Sequence, residues 1–442
     1  MQSKAQIQLA FYGDDFTGST DALEFISRAG AKAVLFIEPP SENELNAFPG
    51  LQAYGVAGKT RALPTDQVEQ ALNAAFTKMK AGAPKHVHYK VCSTFDSSET
   101  IGSIGRAIDV GSEIFGTGVV PIVGGTPELG RYCVFGNLFA RMGIGSNGDI
   151  FRLDRHPSMS KHPVTPANES DLRLHLQKQT KKRIGLIDVL QLEKEVDNWN
   201  EAIDGTEAVL IDALYNEQLL KIGEWLEKEA IGDKTLFSVG SSAVEMAIGS
   251  FWNRKGLLSA KDGWAEPGKA EPLLVLSGSY SPVTAGQIKW ALDNGFVEVA
   301  LEEENFGTNE ANGFGVTCDI STVLSSIHRG KNVIVHSRNI KSGPTAIDSY
   351  ALGRLLGTVG EKVCEATSLK RIVVAGGDTS SYAARAMGIE AVEMIAPLVS
   401  GAPLCKAFSK NIAINGMEVN FKGGQVGGED YFGVLLEGKL RK

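Results

Sequence analysis

The sequence predicts an α/β protein of two domains, each with a mainly parallel sheet flanked by helices, the C-terminal one with extra antiparallel strands. Three observations support this. Short apolar runs of strand length alternate with helix-length periodic segments. Several of those runs end in turns rich in Gly, Ser, Thr and Asp that lead directly into the next helix. The chain carries 50 glycines in 442 residues, scattered among apolar runs with no Gly-X-Y period and no low-complexity tract, so they mark turns that need left-handed backbone or close approach to a ligand.

In chain order, residues 6–12 (QIQLAFY) form the first strand candidate, followed by GDDFTGS and a helix TDALEFISRAG. In that helix Ala22, Leu23, Phe25, Ile26 and Ala29 make an apolar stripe, and Gly30 suits the C-terminal cap. Strands follow at 33–37, 53–57, 86–92 and 118–125, with a helix from Thr65. NLFARM (137–142) reads as helical and FRLDRHP (151–157) as extended. Further strands are expected at 183–189, 208–214 and 235–240. The segment 253–272 is polar, rich in Lys, Gly and Pro, and aperiodic, so it separates a domain 1–252 from a domain 273–442. Beyond it, 273–279, 296–301, 331–337 and 371–378 repeat the strand-then-turn pattern, and 343–368 looks helical. In the tail PLCKAF, KNIAING, MEVNFKGG and YFGVLL are short and alternating, as in antiparallel hairpins.

Charge narrows the function classes. Lys and Arg total 44 against 52 Asp and Glu, a net charge of −8, which leaves no basic excess for nucleic acid or an anionic membrane. No apolar stretch approaches the roughly 18 residues a membrane span needs. The start MQSKAQIQLAFYGDD lacks signal-peptide architecture. The five cysteines (Cys92, Cys133, Cys318, Cys364, Cys405) form no CxxC pair and read as reduced thiols, so a cytoplasmic protein is expected.

Three apparent motifs fail on context. Gly58-Lys59-Thr60 lacks the P-loop's upstream glycine, since Ala53 stands there. Gly143-Ile-Gly145-Ser-Asn-Gly148 matches GxGxxG but neither follows a strand nor opens a helix. His86 and His88 share a strand face without a third ligand nearby.

Four clusters remain. Gly13-Asp14-Asp15-Phe16-Thr17-Gly18-Ser19 sits at the carboxyl end of the first strand, the edge where open α/β sheets bind ligands. Its two carboxylates suit orienting a substrate hydroxyl and accepting its proton; capping the helix is the alternative, but two aspartates in one tight turn are more than a cap needs. Lys90 with Ser93, Thr94 and Asp96 suits a polyhydroxylated anion. Arg152-Leu-Asp154-Arg155-His156, with Lys161, His162 and Arg61, makes a basic pocket for a carboxylate. Ser277-Gly278-Ser279, Gly376-Gly377-Asp378-Thr379 and Gly423-Gly424-Gln425-Val426-Gly427-Gly428 pair strand ends with helix starts, a source of bare N–H groups for a phosphate chain.

Taken in order, these segments resemble the four-carbon acid sugar kinase family over nearly the whole chain. The resemblance rests on GDDFTGSTDAL, AGKTRAL, KVCSTFDS, DRHPSMSKHPVTP, LSGSYSPVTAGQI, AGGDTSSYAARAMGI and KGGQVGGEDYF. It implies an N-terminal domain binding a sugar acid through Asp14, Asp15, Arg61, Lys90, Ser93, Thr94, Asp96, Arg155 and His156. It also implies a C-terminal domain binding ATP through Ser277, Gly278, Ser279, Gly376, Gly377, Asp378, Thr379 and the stretch Gly423, Gly424, Gln425, Val426 and Gly427. GGQVGG departs from the family's GNFG-like clamp, and GGTPELGRYCVFGNLFA (124–140) marks a distinct subgroup, so a branched or oxidised acid such as a 3-oxo-isoapionate-type compound is among the substrates implied.

The expected activity is ATP- and Mg²⁺-dependent phosphorylation of the terminal hydroxyl of a small sugar acid, with Asp15 as first choice of base and Asp96 as second. Closure of a cleft between the domains would exclude water. A homodimer is allowed. The competing classes are an NAD-dependent sugar-acid dehydrogenase and a non-catalytic sugar-acid-binding protein.

Overall fold

The computed structural model describes residues 7–143, 148–162, 164–199, 203–232, 234–303, 316–337 and 349–440. The chain divides into two compact units, Met1–Asp262 and Gly263–Lys442. Asn253 and Arg254, expected in a linker, instead finish the helix Ala243–Arg254. Residues 144–147 of the GxGxxG match and 343–348 of the expected long helix lie outside the described residues. The helix itself runs Ser349–Ala366.

The first unit contains β1 (Leu9–Gly13), β2 (Ala33–Phe36), β3 (Ala53–Ala57), β4 (His86–Lys90), β5 (Val120–Val123), β6 (Arg131–Val134), β7 (Asn137–Arg141), β8 (Ile150–Arg152), β9 (Ile184–Ile187), β10 (Ala208–Ile211) and β11 (Leu236–Gly240). Its main sheet runs β2-β3-β1-β4-β11-β5-β10-β9, and every neighbouring pair is parallel. β1, β3, β4 and β11 are buried along their whole length, as a sheet covered on both faces requires. Their carboxyl ends lie level: Gly13 pairs with Ala57 and with Lys90, and Lys90 with Gly240. The turns after these strands therefore share one rim.

A small antiparallel sheet, β6-β7-β8, joins this unit. NLFARM, expected to be helical, is β7. Its side chains alternate between buried and half-buried, and a run of five residues is too short for periodicity to separate the two states. His86 and His88 hold no metal geometry. His88 places Nδ1 2.6 Å from Glu245 Oε1 and Nε2 3.1 Å from the Gly240 carbonyl, while His86 Nε2 lies 2.7 Å from Glu227.

The second unit contains β12 (Leu273–Ser277), β13 (Val297–Ala300), β14 (Glu302–Glu303), β15 (Val316–Thr317), β16 (Val333–His336), β17 (Arg371–Ala375), β18 (Ile389–Ala396), β19 (Leu404–Ser409) and β20 (Glu418–Lys422). β14 and β15 pair separately; the main sheet runs β13-β16-β12-β17-β20-β19-β18. It is parallel as far as β20 and antiparallel beyond. Ser277 pairs with His336 and Ala375, and Ala375 with Lys422, which again makes one level rim. The tail departs from expectation in two places. Residues 431–437 form the helix Tyr431–Glu437 rather than a strand, and 410–416 are turns between β19 and β20. The strand β18 has no counterpart among the strands expected from the sequence.

Among the described residues no helix is long and apolar enough to cross a membrane. None of the five cysteines is in a disulfide.

Candidate active site

The first rim is knitted by the backbone. The Asp14 N–H donates to the Lys90 carbonyl at 2.8 Å, and the Arg61 N–H donates to the Asp14 carbonyl at 3.0 Å. Asp15 caps the helix Phe16–Arg28. Its Oδ1 accepts the Gly18 N–H at 2.7 Å and its Oδ2 the Thr17 hydroxyl at 2.9 Å. Arg61 Nη2 lies 2.7 Å from Asp15 Oδ2. Lys90, fully buried, donates to the Val91 carbonyl at 2.8 Å and lies 3.7 Å from Asp21 Oδ2. Asp21 Oδ2 also accepts the Ser242 hydroxyl at 2.6 Å. Asp14, Asp15, Arg61 and Lys90, singled out in the sequence, thus form one cluster, which Asp21 and Ser242 extend.

The two adjacent aspartates are driven apart electrostatically. Burial and the neighbouring Asp15 charge push the Asp14 carboxyl up to about 7, against the pull of Arg61, Lys90 and the Cys92 N–H. Burial also opposes ionisation of Asp15, but Arg61, Lys90 and the bonds from Gly18 and Thr17 together outweigh it and hold Asp15 below its ordinary value. Burial raises Asp21. Lys90 stays charged, because Asp21, Asp14 and Asp15 more than offset its burial. Asp14 Oδ2 accepts the Cys92 N–H at 3.3 Å, while its buried Oδ1 has no hydrogen-bond partner. One carboxyl is thus ionised and fully engaged. The other is poised near neutrality with a buried, unpartnered oxygen, an arrangement that can separate a charge-holding role from a proton-accepting one.

The loop after β4 adds Cys92, Ser93, Thr94 and Asp96. Cys92 Sγ lies 3.1 Å from Thr94 Oγ1, whose hydroxyl donates to Asp96 Oδ1 at 2.8 Å. Burial pushes the Cys92 thiol up to about 12, so it is not a nucleophile. Phe95 holds this loop with φ at +54°, a left-handed conformation that costs a bulky residue strain and that clusters at functional sites. Arg155 does not join the group: its side chain is 75% exposed and its nearest anion is Asp154 at 3.8 Å. His156 is buried, and its Nδ1 accepts the N–H groups of Ser158 and Met159 at 3.2 and 3.3 Å, so it pins its own loop. Asp21, Ser242 and Arg131 escape a reading of the sequence. The only signal is a charge inside the apolar stripe of the first helix, at Asp21.

The rim of the second unit carries the glycine turns. Ser277, fully buried, ends β12 with its Oγ unpartnered, as is the Oγ of buried Ser337 after β16. The Gly278 N–H donates to the Ala375 carbonyl at 3.1 Å and the Gly376 N–H to the Lys422 carbonyl at 2.9 Å. Ser279 Oγ accepts the Ser281 N–H at 3.3 Å. Gly376, with φ at +126°, caps the helix Gly377–Ala386; a side chain there would sit 2.8 Å from Thr379 Oγ1, and one on Gly278 would sit 2.3 Å from it. Asp378 is exposed on the first turn of that helix. The Gly423–Gly428 stretch is tied down by buried Gln287, whose Nε2 donates to the carbonyls of Val426, Gly427 and Gly428 at 3.0, 3.2 and 3.0 Å. Lys422 donates to Thr284 Oγ1 at 3.0 Å, and that hydroxyl donates to the Gly424 carbonyl at 3.2 Å. Burial pushes the Lys422 amine down to about 7. Unpartnered hydroxyls, a helix N-terminus and a buried lysine around glycine turns are donors of the kind that phosphate oxygens accept.

Residues 9–248 match the family model of a sugar-binding N-terminal domain, and residues 274–432 that of a nucleotide-binding C-terminal domain. The chain belongs to the four-carbon acid sugar kinase family. It is 38% identical to the 3-oxo-isoapionate kinase of Paraburkholderia graminis, across 99% of this chain and 95% of that protein. It is 27% identical to the 3-oxo-tetronate kinase of Cupriavidus necator, across 97% and 96% of the two chains. A crystal structure of a Salmonella typhimurium LT2 protein shares the fold of this kinase with a TM-score of 0.74 at 22% identity, over 98% of this chain and 99% of that one. A Haemophilus influenzae structure does so with a TM-score of 0.69 at 21% identity, over 96% and 98%.

Proposed function

We propose that this kinase transfers the γ-phosphoryl group of ATP to the terminal hydroxyl of a branched, oxidised sugar acid of the 3-oxo-isoapionate type. The relative named for that substrate supports this choice over the linear 3-oxo-tetronates, at 38% against 27% identity. The observation that carries the chemistry is the pair Asp14–Asp15. Asp15, ionised and held by Arg61, fixes the rim and its helix. Asp14, near neutrality with a free oxygen, takes the hydroxyl proton as the hydroxyl oxygen bonds to phosphorus and ADP leaves. This reverses the sequence-based preference for Asp15, whose oxygens are already engaged and whose low pKa makes it the weaker base. Phosphoryl transfer asks mainly for positioning and charge neutralisation. On the nucleotide-binding unit we assign the latter to the glycine turns and the N–H groups that open the helix Gly377–Ala386. Among the described residues no group of three His, Cys, Asp or Glu side chains forms a metal site. Asp378, exposed on the first turn of the helix Gly377–Ala386, would be a carboxylate available to magnesium accompanying ATP, whose charge would offset that of the phosphates.

The test is an ATP-consumption screen over 3-oxo-isoapionate, the 3-oxo-tetronates, threonate and erythronate. The highest kcat/KM is expected with the branched oxo acid. A linear acid ranking first would overturn the substrate choice, and no turnover with any of them would overturn the kinase reading. Calorimetric binding of NAD instead of ATP would favour the dehydrogenase.

A further inference from the structure

Arg131 opens β6 immediately after the turn Pro127–Leu129. Its place in the fold is tightly determined. Arg131 and Thr126 exchange backbone hydrogen bonds at 2.9 and 3.1 Å. The Thr126 hydroxyl in turn bonds Ser241, the residue after β11, at the rim where Gly240 lies level with Lys90. The guanidinium is therefore anchored at the same rim as the two aspartates, within electrostatic reach of Cys92, Asp96 and Asp21.

The side chain is almost wholly buried, at 7% exposure. Its Nη1 donates to the Leu129 and Arg141 carbonyls at 3.1 Å each, and its Nε is buried with no hydrogen-bond partner. No ion pair with a carboxylate forms among the described residues. Arg61 differs sharply, since its guanidinium is committed to Asp15 at 2.7 Å. Arginine stays charged in proteins, and a buried charge without a counter-ion is strongly destabilising unless an anion reaches it.

Resting on the reading of this unit as a sugar-acid site, we propose that Arg131 binds the substrate carboxylate and sets the preference for acids over neutral polyols. The two carbonyls on Nη1 fix the plane of the guanidinium, and the fork edge they leave is the one that meets a planar carboxylate. The role expected of Arg155 from the sequence passes to Arg131, because Arg155 is mostly in water with Asp154 at 3.8 Å as its ion-pair partner among the described residues.

Arg131→Met and Arg131→Lys test this with wild-type protein as reference. Calorimetry with the best acid from the screen, with the corresponding neutral polyol and with ATP separates the outcomes. Arg131→Met is expected to weaken acid binding about 10- to 100-fold, the worth of a charge-assisted hydrogen bond. Its KM for the acid rises in proportion, with kcat little changed, and ATP and polyol affinities stay at the wild-type values. Arg131→Lys recovers part of the loss. Acid binding by Arg131→Met at the wild-type level overturns the proposal. Parallel loss of acid, polyol and ATP binding in both variants makes Arg131 a folding residue and overturns it too. Wild-type protein that binds ATP but no sugar acid overturns the functional reading, and this proposal with it.

Discussion

Asp14→Asn is the most informative single substitution. Asparagine keeps the shape of the side chain and an acceptor for the Cys92 N–H, but it cannot take a proton. A general base contributes about 10²- to 10⁴-fold, so kcat should fall by roughly that factor while the KM for ATP holds. In the wild type, kcat/KM for the acid should climb as pH rises through about 7, where Asp14 ionises, and the variant should lack that limb. Stability supplies an independent reading. The folded-state pKa of Asp14 is raised from 3.8 to about 7, so the folded protein holds a proton that the unfolded chain releases. The stability this contributes is complete below pH 3.8 and is lost as pH rises to about 7. The shift is about 3 units, or roughly 4 kcal/mol at 1.36 kcal/mol per unit. Denaturant titrations of both proteins at pH 5 and pH 8 should show Asp14→Asn gaining on the wild type toward pH 8. A variant that keeps near-normal turnover and an unchanged pH profile would refute Asp14 as the base. A stability difference independent of pH would refute the raised pKa.

Three further outcomes follow from the geometry. Arg61→Met strips the counter-ion from buried Asp15 and should cost about 3 kcal/mol in a denaturant midpoint at pH 7. Because Asp15 titrates below its ordinary value, its stabilising effect is present above about pH 4 and fades below it; the variant should lose that acid-side decline. Gly376→Ala forces a side chain into a φ of +126° against Thr379, a strain of about 1–3 kcal/mol, and should raise the KM for ATP while calorimetric binding of the sugar acid is unchanged. Lys422→Met removes an amine whose folded pKa is depressed from 10.5 to about 7. Between those values the unfolded chain holds a proton that the folded one lacks, so the wild type should gain stability on the variant as pH is raised from 7 to 10, read by thermal unfolding.

Much of the first rim is legible in residue order. GDDFTGS follows an apolar run and precedes an amphipathic helix, and local rules alone place such a turn at a strand's carboxyl end. The same holds for KVCSTFDS and AGGDTS. The errors share a cause. NLFARM and YFGVLL are each six residues long, below the length at which periods of 2 and 3.6 separate. One is β7 because β6 and β8 flank it, the other a helix. β18 joins the sheet through β19, by a pairing that no local pattern announces.

Residue order suffices for the alternation of strands and helices, for the turns that carry the polar clusters, and for the family to which the chain belongs. These depend on patterns about ten positions long, where backbone propensity and burial act. What each charge does is set by tertiary packing. Asp14 and Asp15 are chemically identical neighbours in the chain. Arg61, from the turn after β3, engages Asp15 and leaves an oxygen of Asp14 without a partner. Arg131 and Arg155 look equally basic in the sequence, yet one is buried with no counter-ion among the described residues and the other lies in water. Those differences arise from desolvation and from charges brought together across more than forty residues, separations over which residue order carries no electrostatic information.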